Sequence, residues 1–150
     1  MTCGVIAGRV ATRYNGSSSS RCPAMRLVIP AILLLVAAIH LLPVVGVAGP
    51  GRLATLYGIR IDDPSLETLM RHRAVLFGLI GVLLGAGAFV ERLRGTALAV
   101  GLISTGSFVV LAMLVGGANE PVTRVVRIDV AAFVLLLAAT GLHAWARRAL

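Results

Sequence analysis

Four long apolar stretches, at about 27–47, 74–90, 95–117 and 128–146, constrain this chain more than any other feature of its sequence. At a rise of about 1.5 Å per residue, each is long enough as a helix to cross a hydrocarbon layer about 30 Å thick, the second and fourth only just. Lipid offers no partner to a backbone N–H or C=O, so such stretches must be helical. Composition agrees: 58% of the 150 residues are hydrophobic and 13% are charged, against about 25% charged in ordinary soluble domains. A typical water-soluble enzyme is excluded. The expected fold class is an all-α membrane protein, four transmembrane helices in an up-down bundle over residues 25–150. The first stretch reads as a retained helix, because its apolar run exceeds a signal-peptide core, although Val47, Ala48 and Gly49 form a small-residue site after it.

All 14 basic residues are arginine, against 6 acids, for a net charge of +8. With no lysine there can be no phosphate-loop lysine, Schiff base or Ser-Lys dyad. The arginines sit at the ends of apolar runs, where they face anionic lipid rather than nucleic acid. Residues 1–24 carry Arg9, Arg13 and Arg21, no acid, and the run Ser17 to Ser20, which predicts a disordered tail. That tail is either regulatory or an over-extended start, since Met25-Arg26 before an apolar run reads as a start in its own right. Cys3 and Cys22 have neither Cys-x-x-Cys spacing nor a nearby histidine, so neither a staple nor zinc is indicated. Arginine counts, eight against six with the tail and five against six without it, are read as N-in and C-in in a bacterial cytoplasmic membrane. Trp145 beside Arg147 and Arg148 reads as an interfacial anchor.

Small residues set the expected packing. Ala74, Gly78, Gly81, Gly85 and Ala88 recur at alternating spacings of four and three, which lines them along one helix face. Close backbone approach is expected there, within the bundle or between subunits. Gly101, Ser104 and Ala112 are a facing surface on the third stretch, and Ser104, Thr105 and Ser107 are expected to bond their own helix's carbonyls.

Ionisable residues at a membrane edge are functional candidates because their burial is costly unless they are paired or face water. In an alternating topology His40, Arg71, His72, Arg73, Asn119, Arg124, Arg127 and Asp129 share one face. Arginines at helix N-termini sit against the partial positive charge of the dipole, so something negative is expected beside them. Glu67 and Asp129 are internal candidates, and a lipid phosphate or other anion is the external one. Pro43 is expected to kink the first helix beside His40, which is either a bundle-bonded histidine or a proton-accepting or ligand-binding group. His72, between two arginines, reads as a neutral imidazole, and His143 as interfacial.

In the loop after the first stretch, Leu53, Leu56 and Tyr57 have the spacing of a short interfacial helix. Asp63-Pro64 is a helix start, with the helix running from Pro64 into the second span. Asp62, Asp63 and Glu67 fit no calcium loop or diphosphate motif, so no metal and no cofactor are expected.

The runs Ile39-His40-Leu41-Leu42-Pro43, Leu56-Tyr57-Gly58, Leu69 to Gly78 and Gly116-Gly117-Ala118-Asn119, with Arg124, Val125 and Asp129, resemble a family of small bacterial four-helix integral membrane proteins of unknown function. The resemblance covers nearly everything from Met25 onward. Some members of that family are labelled phosphopantetheine adenylyltransferase. The sequence gives that label no support: it has neither the Gly-His nucleotide loop nor the Ile-Ser-Ser-Thr-x-x-Arg stretch, and the nearest fragment, Ile103 to Ser107, lies inside a span.

The reading that needs no missing motif is a non-catalytic bundle that binds an anionic lipid or a partner membrane protein through its arginine-bearing edge, with a homo-oligomer as another use of the small-residue face. Two others stand beside it. One is a small-molecule or proton-coupled transport component with His40 and Asp129 on a polar path. The other is an enzyme of phosphorylated lipid or isoprenoid headgroups with His72 as base, which lacks a recognisable nucleophile or metal set.

Overall fold

The computed structural model describes residues 23–148, with side-chain surroundings from Leu27 onward. The expected disordered tail, Cys3 and Cys22 included, lies outside the described residues, apart from Pro23 and Ala24 at the start of the first helix. The elements are α1 (Pro23–Leu41), a 3₁₀ segment (Leu42–Ala48), α2 (Pro50–Tyr57), α3 (Pro64–Phe89), α4 (Glu91–Val115) and α5 (Glu120–Arg148), with no strand among the described residues. Four stretches, Leu27–Ala48, Pro64–Phe89, Glu91–Val115 and Glu120–Arg148, are long and apolar enough to cross a membrane.

Local chemistry explains where the elements change. Pro43 has no N–H and its ring would crowd the carbonyl of Ile39, so α1 stops at Leu41 and the chain tightens into the 3₁₀ segment. This replaces the kink expected inside one continuous helix. Gly49, at φ +137°, turns the chain into α2 through a backbone conformation open to glycine. Asp63 caps α3 by accepting from Ser65 N at 2.6 Å and Leu66 N at 3.4 Å, and these bonds hold its carboxyl below the usual carboxylate range. Helix α3 then runs unbroken from Pro64 through the second apolar stretch, as the Asp-Pro pair predicts.

Two helices begin earlier than the apolar runs alone indicate. Helix α4 starts at Glu91, not Gly95, because a single extended residue, Val90, joins it to α3. Arg94 makes that turn possible. Its side chain, only 14% exposed, pairs with Glu91 at 3.4 Å and donates to the Gly87 and Ala88 carbonyls at the end of α3, both at 3.4 Å. Helix α5 starts at Glu120, not Ile128, so Arg124 and Arg127 lie inside it rather than at its opening.

Helix α3 is the centre of the bundle: α1, the 3₁₀ segment and α4 all pack on it, and α5 packs chiefly on α4. Leu33, Val36, Leu84, Leu98 and Leu136 fill the middle, all 0–1% exposed. Ala74, Gly78, Gly81 and Ala88 lie in this packing. A methyl built on Gly78 would meet Val44 at 3.1 Å, and one on Gly81 would meet Leu41 at 3.0 Å. Gly85, by contrast, has nothing within 4 Å. Helix α3 also approaches α4 closely at Gly87, outside that stripe, where a methyl would lie 2.6 Å from Cβ of Ala97.

Gly87→Ala is therefore expected to destabilise the bundle by about 1–3 kcal/mol through overpacking. Gly85→Ala, which meets open space, should be neutral or mildly stabilising. Thermal unfolding of both variants in the same detergent checks the contrast, and equal losses would contradict the packing described.

Candidate functional site

The end of the bundle that carries α2 and the start of α5 contains a cavity of about 140 Å³. Its walls come from α1 and the 3₁₀ segment (Ile39, His40, Leu42, Pro43), α2 (Leu56, Tyr57), α3 (Arg73, Phe77) and α5 (Val125, Ile128, Asp129). Most of this lining is apolar. The exceptions are His40, Tyr57, Arg73 and Asp129, which four different elements bring together.

His40 is 2% exposed and built into the wall. Its Nδ1 donates to the Val36 carbonyl at 3.0 Å, and its Nε2 is hydrogen-bonded to the Ser104 hydroxyl at 3.3 Å. Ser104 thus reaches across to α1 rather than to its own helix, which corrects the expectation for that residue. Thr105 and Ser107 do bond within α4, to Gly101 at 2.9 Å and Ser104 at 3.1 Å. The His40 ring also leans on Phe77, with centroids 5.6 Å apart.

Phe77 in turn supports Arg73. The Arg73 Cζ lies 5.1 Å from the Phe77 ring, 5.1 Å from Phe108 and 5.4 Å from Tyr57. Ring quadrupoles stabilise the cation but take no in-plane hydrogen bond. No Arg73 nitrogen is within 4.0 Å of a carboxylate, and no hydrogen bond leaves the guanidinium among the described residues. Its charge is housed while its fork of donors stays uncommitted.

Asp129 faces the same cavity and is 6% exposed. Among the described residues it accepts no hydrogen bond. Among the described residues no fully buried side-chain oxygen is without a partner, so both carboxylate oxygens of Asp129 keep some accessibility. Tyr57, also 6% exposed, completes the polar set. Burial pushes its phenol above the ordinary tyrosine value, Arg73 opposes that shift and Asp129 adds to it.

Asn119 holds this end together without lining the cavity. Its Nδ2 donates to the Tyr57 carbonyl at 2.8 Å and the Gly58 carbonyl at 3.3 Å, while Oδ1 accepts from Val122 N at 2.9 Å and caps α5. The remaining sequence candidates stand apart from the cavity. Arg71 pairs with Glu67 at 3.0 Å and Arg124 with Glu120 at 3.2 Å. His72 and Arg127 are exposed, and no group of three or more potential metal ligands occurs among the described residues.

Sequence reasoning did not find the aromatic surround of Arg73. Phe77 had a signal, being four residues further along the same helix and so on the same face. Phe108 and Tyr57 reach Arg73 only through tertiary packing. Arg94, assigned to an arginine count alone, proves to be the cap of α3.

Asn119→Ala removes both the cap of α5 and the tie to α2, and a loss of about 1–2 kcal/mol is expected. Chemical or thermal unfolding in detergent measures it. Asn119→Asp, which keeps only the acceptor, should recover part of the loss, and full stability of the alanine variant would contradict the tie.

The chain matches no family model, no curated protein and no solved structure.

Proposed function

We propose that this protein is a non-catalytic, multi-pass bundle of a bacterial cytoplasmic membrane, its four long helices running up and down, that holds a membrane lipid through a phosphate on Arg73. The observation that carries this reading is the guanidinium itself, set against three aromatic rings with no carboxylate of the described residues within 4.0 Å. A phosphate supplies what that environment lacks, namely in-plane acceptors for a planar fork of donors.

The cavity's outline favours an amphiphile. Leu42 and Ile128 line it and are also 63% and 46% exposed on the outside of the bundle, so its edge is continuous with the surface that lipid chains would cover. Arg124 and Arg127, also exposed, flank Val125 and Ile128 on α5. What supports the non-catalytic reading is His72, the base the enzyme reading needs, which is exposed and stands apart from the cavity.

Arg73→Gln should lower retention of phospholipid by about tenfold or more, the loss of charge-assisted hydrogen bonds. Arg71→Gln, whose arginine already pairs with Glu67, should leave retention unchanged. Native mass spectrometry of both variants and wild type, gently extracted from membranes, is the test. Equal retention by wild type and the Arg73 variant would overturn the reading.

A further inference from the structure

The cavity carries two opposite charges, and an anion satisfies only one of them. Arg73 stands on α3 and Asp129 on α5, both on the same cavity, yet no Arg73 nitrogen comes within 4.0 Å of the Asp129 carboxylate. They do not neutralise each other by direct contact. Asp129 is more than nine-tenths buried, accepts no hydrogen bond among the described residues and lines the cavity, with neither carboxylate oxygen fully sealed off. A ligand that brought only a phosphate to Arg73 would set a second negative charge beside that carboxylate in a low-dielectric setting, an arrangement that burial makes expensive.

Resting on the reading that Arg73 holds a phosphate, we infer that the cavity selects a zwitterionic headgroup, with its phosphate on the Arg73 fork and a primary ammonium on the Asp129 carboxylate. Such a ligand matches the sign of both groups and leaves the filled cavity without uncompensated charge. An ammonium also donates three N–H bonds, which Asp129 can accept. A trimethylated ammonium donates none, and a glycerol headgroup brings no cation. Asp129 therefore works as much by rejecting purely anionic lipids as by attracting the amine. The chemistry required is that of an aminoethyl phosphate, which a phospholipid or a free phosphomonoester could supply. The Leu42 and Ile128 edge gives acyl chains a continuation that a free ester would not use.

The test uses the full chain, delipidated in detergent and titrated with diacyl lipids that differ only in bearing ethanolamine, choline or glycerol phosphate, read by native mass spectrometry and thermal shift. Wild type should bind the ethanolamine lipid about tenfold more tightly than the glycerol lipid, with the choline lipid between them. Asp129→Asn, close in shape, should still bind lipid through Arg73 but with the preference reduced to about one. Displacement by lipid alone identifies the membrane as the source of the headgroup. Displacement at equal affinity by soluble O-phosphoethanolamine identifies a free zwitterion, and both results support the assignment of charges.

Equal binding of ethanolamine and glycerol lipids by wild type would overturn the inference, and that comparison needs no variant to fold. A preference that survives in Asp129→Asn would overturn it as well. Failure to bind any phosphate-bearing lipid would instead remove the proposed function beneath it, so the two failures are distinguishable.

Discussion

The bundle depends on how closely other helices can approach α3. Its four long helices are apolar enough to cross a membrane, and for helices in lipid there would be little hydrophobic gain, because a leucine packed on a leucine is no better off than a leucine in acyl chains. Association then rests on backbone proximity and dispersion, and α3 offers both on two sides. Towards α1 and the 3₁₀ segment it presents Gly78 and Gly81, and towards α4 it presents Gly87, where Ala97 fits only because a methyl is missing. These contacts fix the rotation of α3, and that rotation aims Arg73 and Phe77 at the cavity.

Polar groups within the bundle are handled in two contrasting ways. His40 and Arg94 are satisfied from several directions, by Val36 and Ser104 in one case and by Glu91, Gly87 and Ala88 in the other. Arg73 and Asp129 are sheltered without being satisfied by their neighbours. Full satisfaction is what a structural polar group requires in a medium of low dielectric. Two sheltered charges of opposite sign thus share one cavity beside polar groups that the scaffold fully engages.

The helical character of the chain was legible in the sequence, because a long apolar run admits few alternatives, and so was the start of α3, where Asp63 and Pro64 carry their own geometry. Hydropathy located the long apolar helices but not their ends: α4 and α5 begin in polar sequence, at Glu91 and Glu120, after a turn where Arg94 caps the end of α3 in one case and where Asn119 caps α5 in the other. Pro43 was legible as a disruption, but whether it bends a helix or tightens it depends on what packs alongside, here α2 and α3. His40, Arg73, Asn119 and Asp129 stood out as unusual residues for a membrane edge. That Arg73 and Asp129 would share a cavity while Arg71 and Arg127 stayed on the surface follows from helix rotation, which side-chain shape sets and periodicity alone does not.

The single-residue turn at Val90 also bears on the order in which the molecule assembles. Helices α3 and α4 are joined with almost no loop to close, so their pairing carries little entropic penalty and can form as soon as both helices exist. The contact of Asn119 with the Tyr57 carbonyl spans 62 positions along the chain and must wait for α5 to arrive. The hairpin is thus the early unit of folding, and the clasp of α2 to α5 a late one. Since Asp129 arrives with α5, both charges face each other only after the final docking step. A ligand that touched both Arg73 and Asp129 would join α3 to α5 and act as a last stitch, adding to the clasp that forms late.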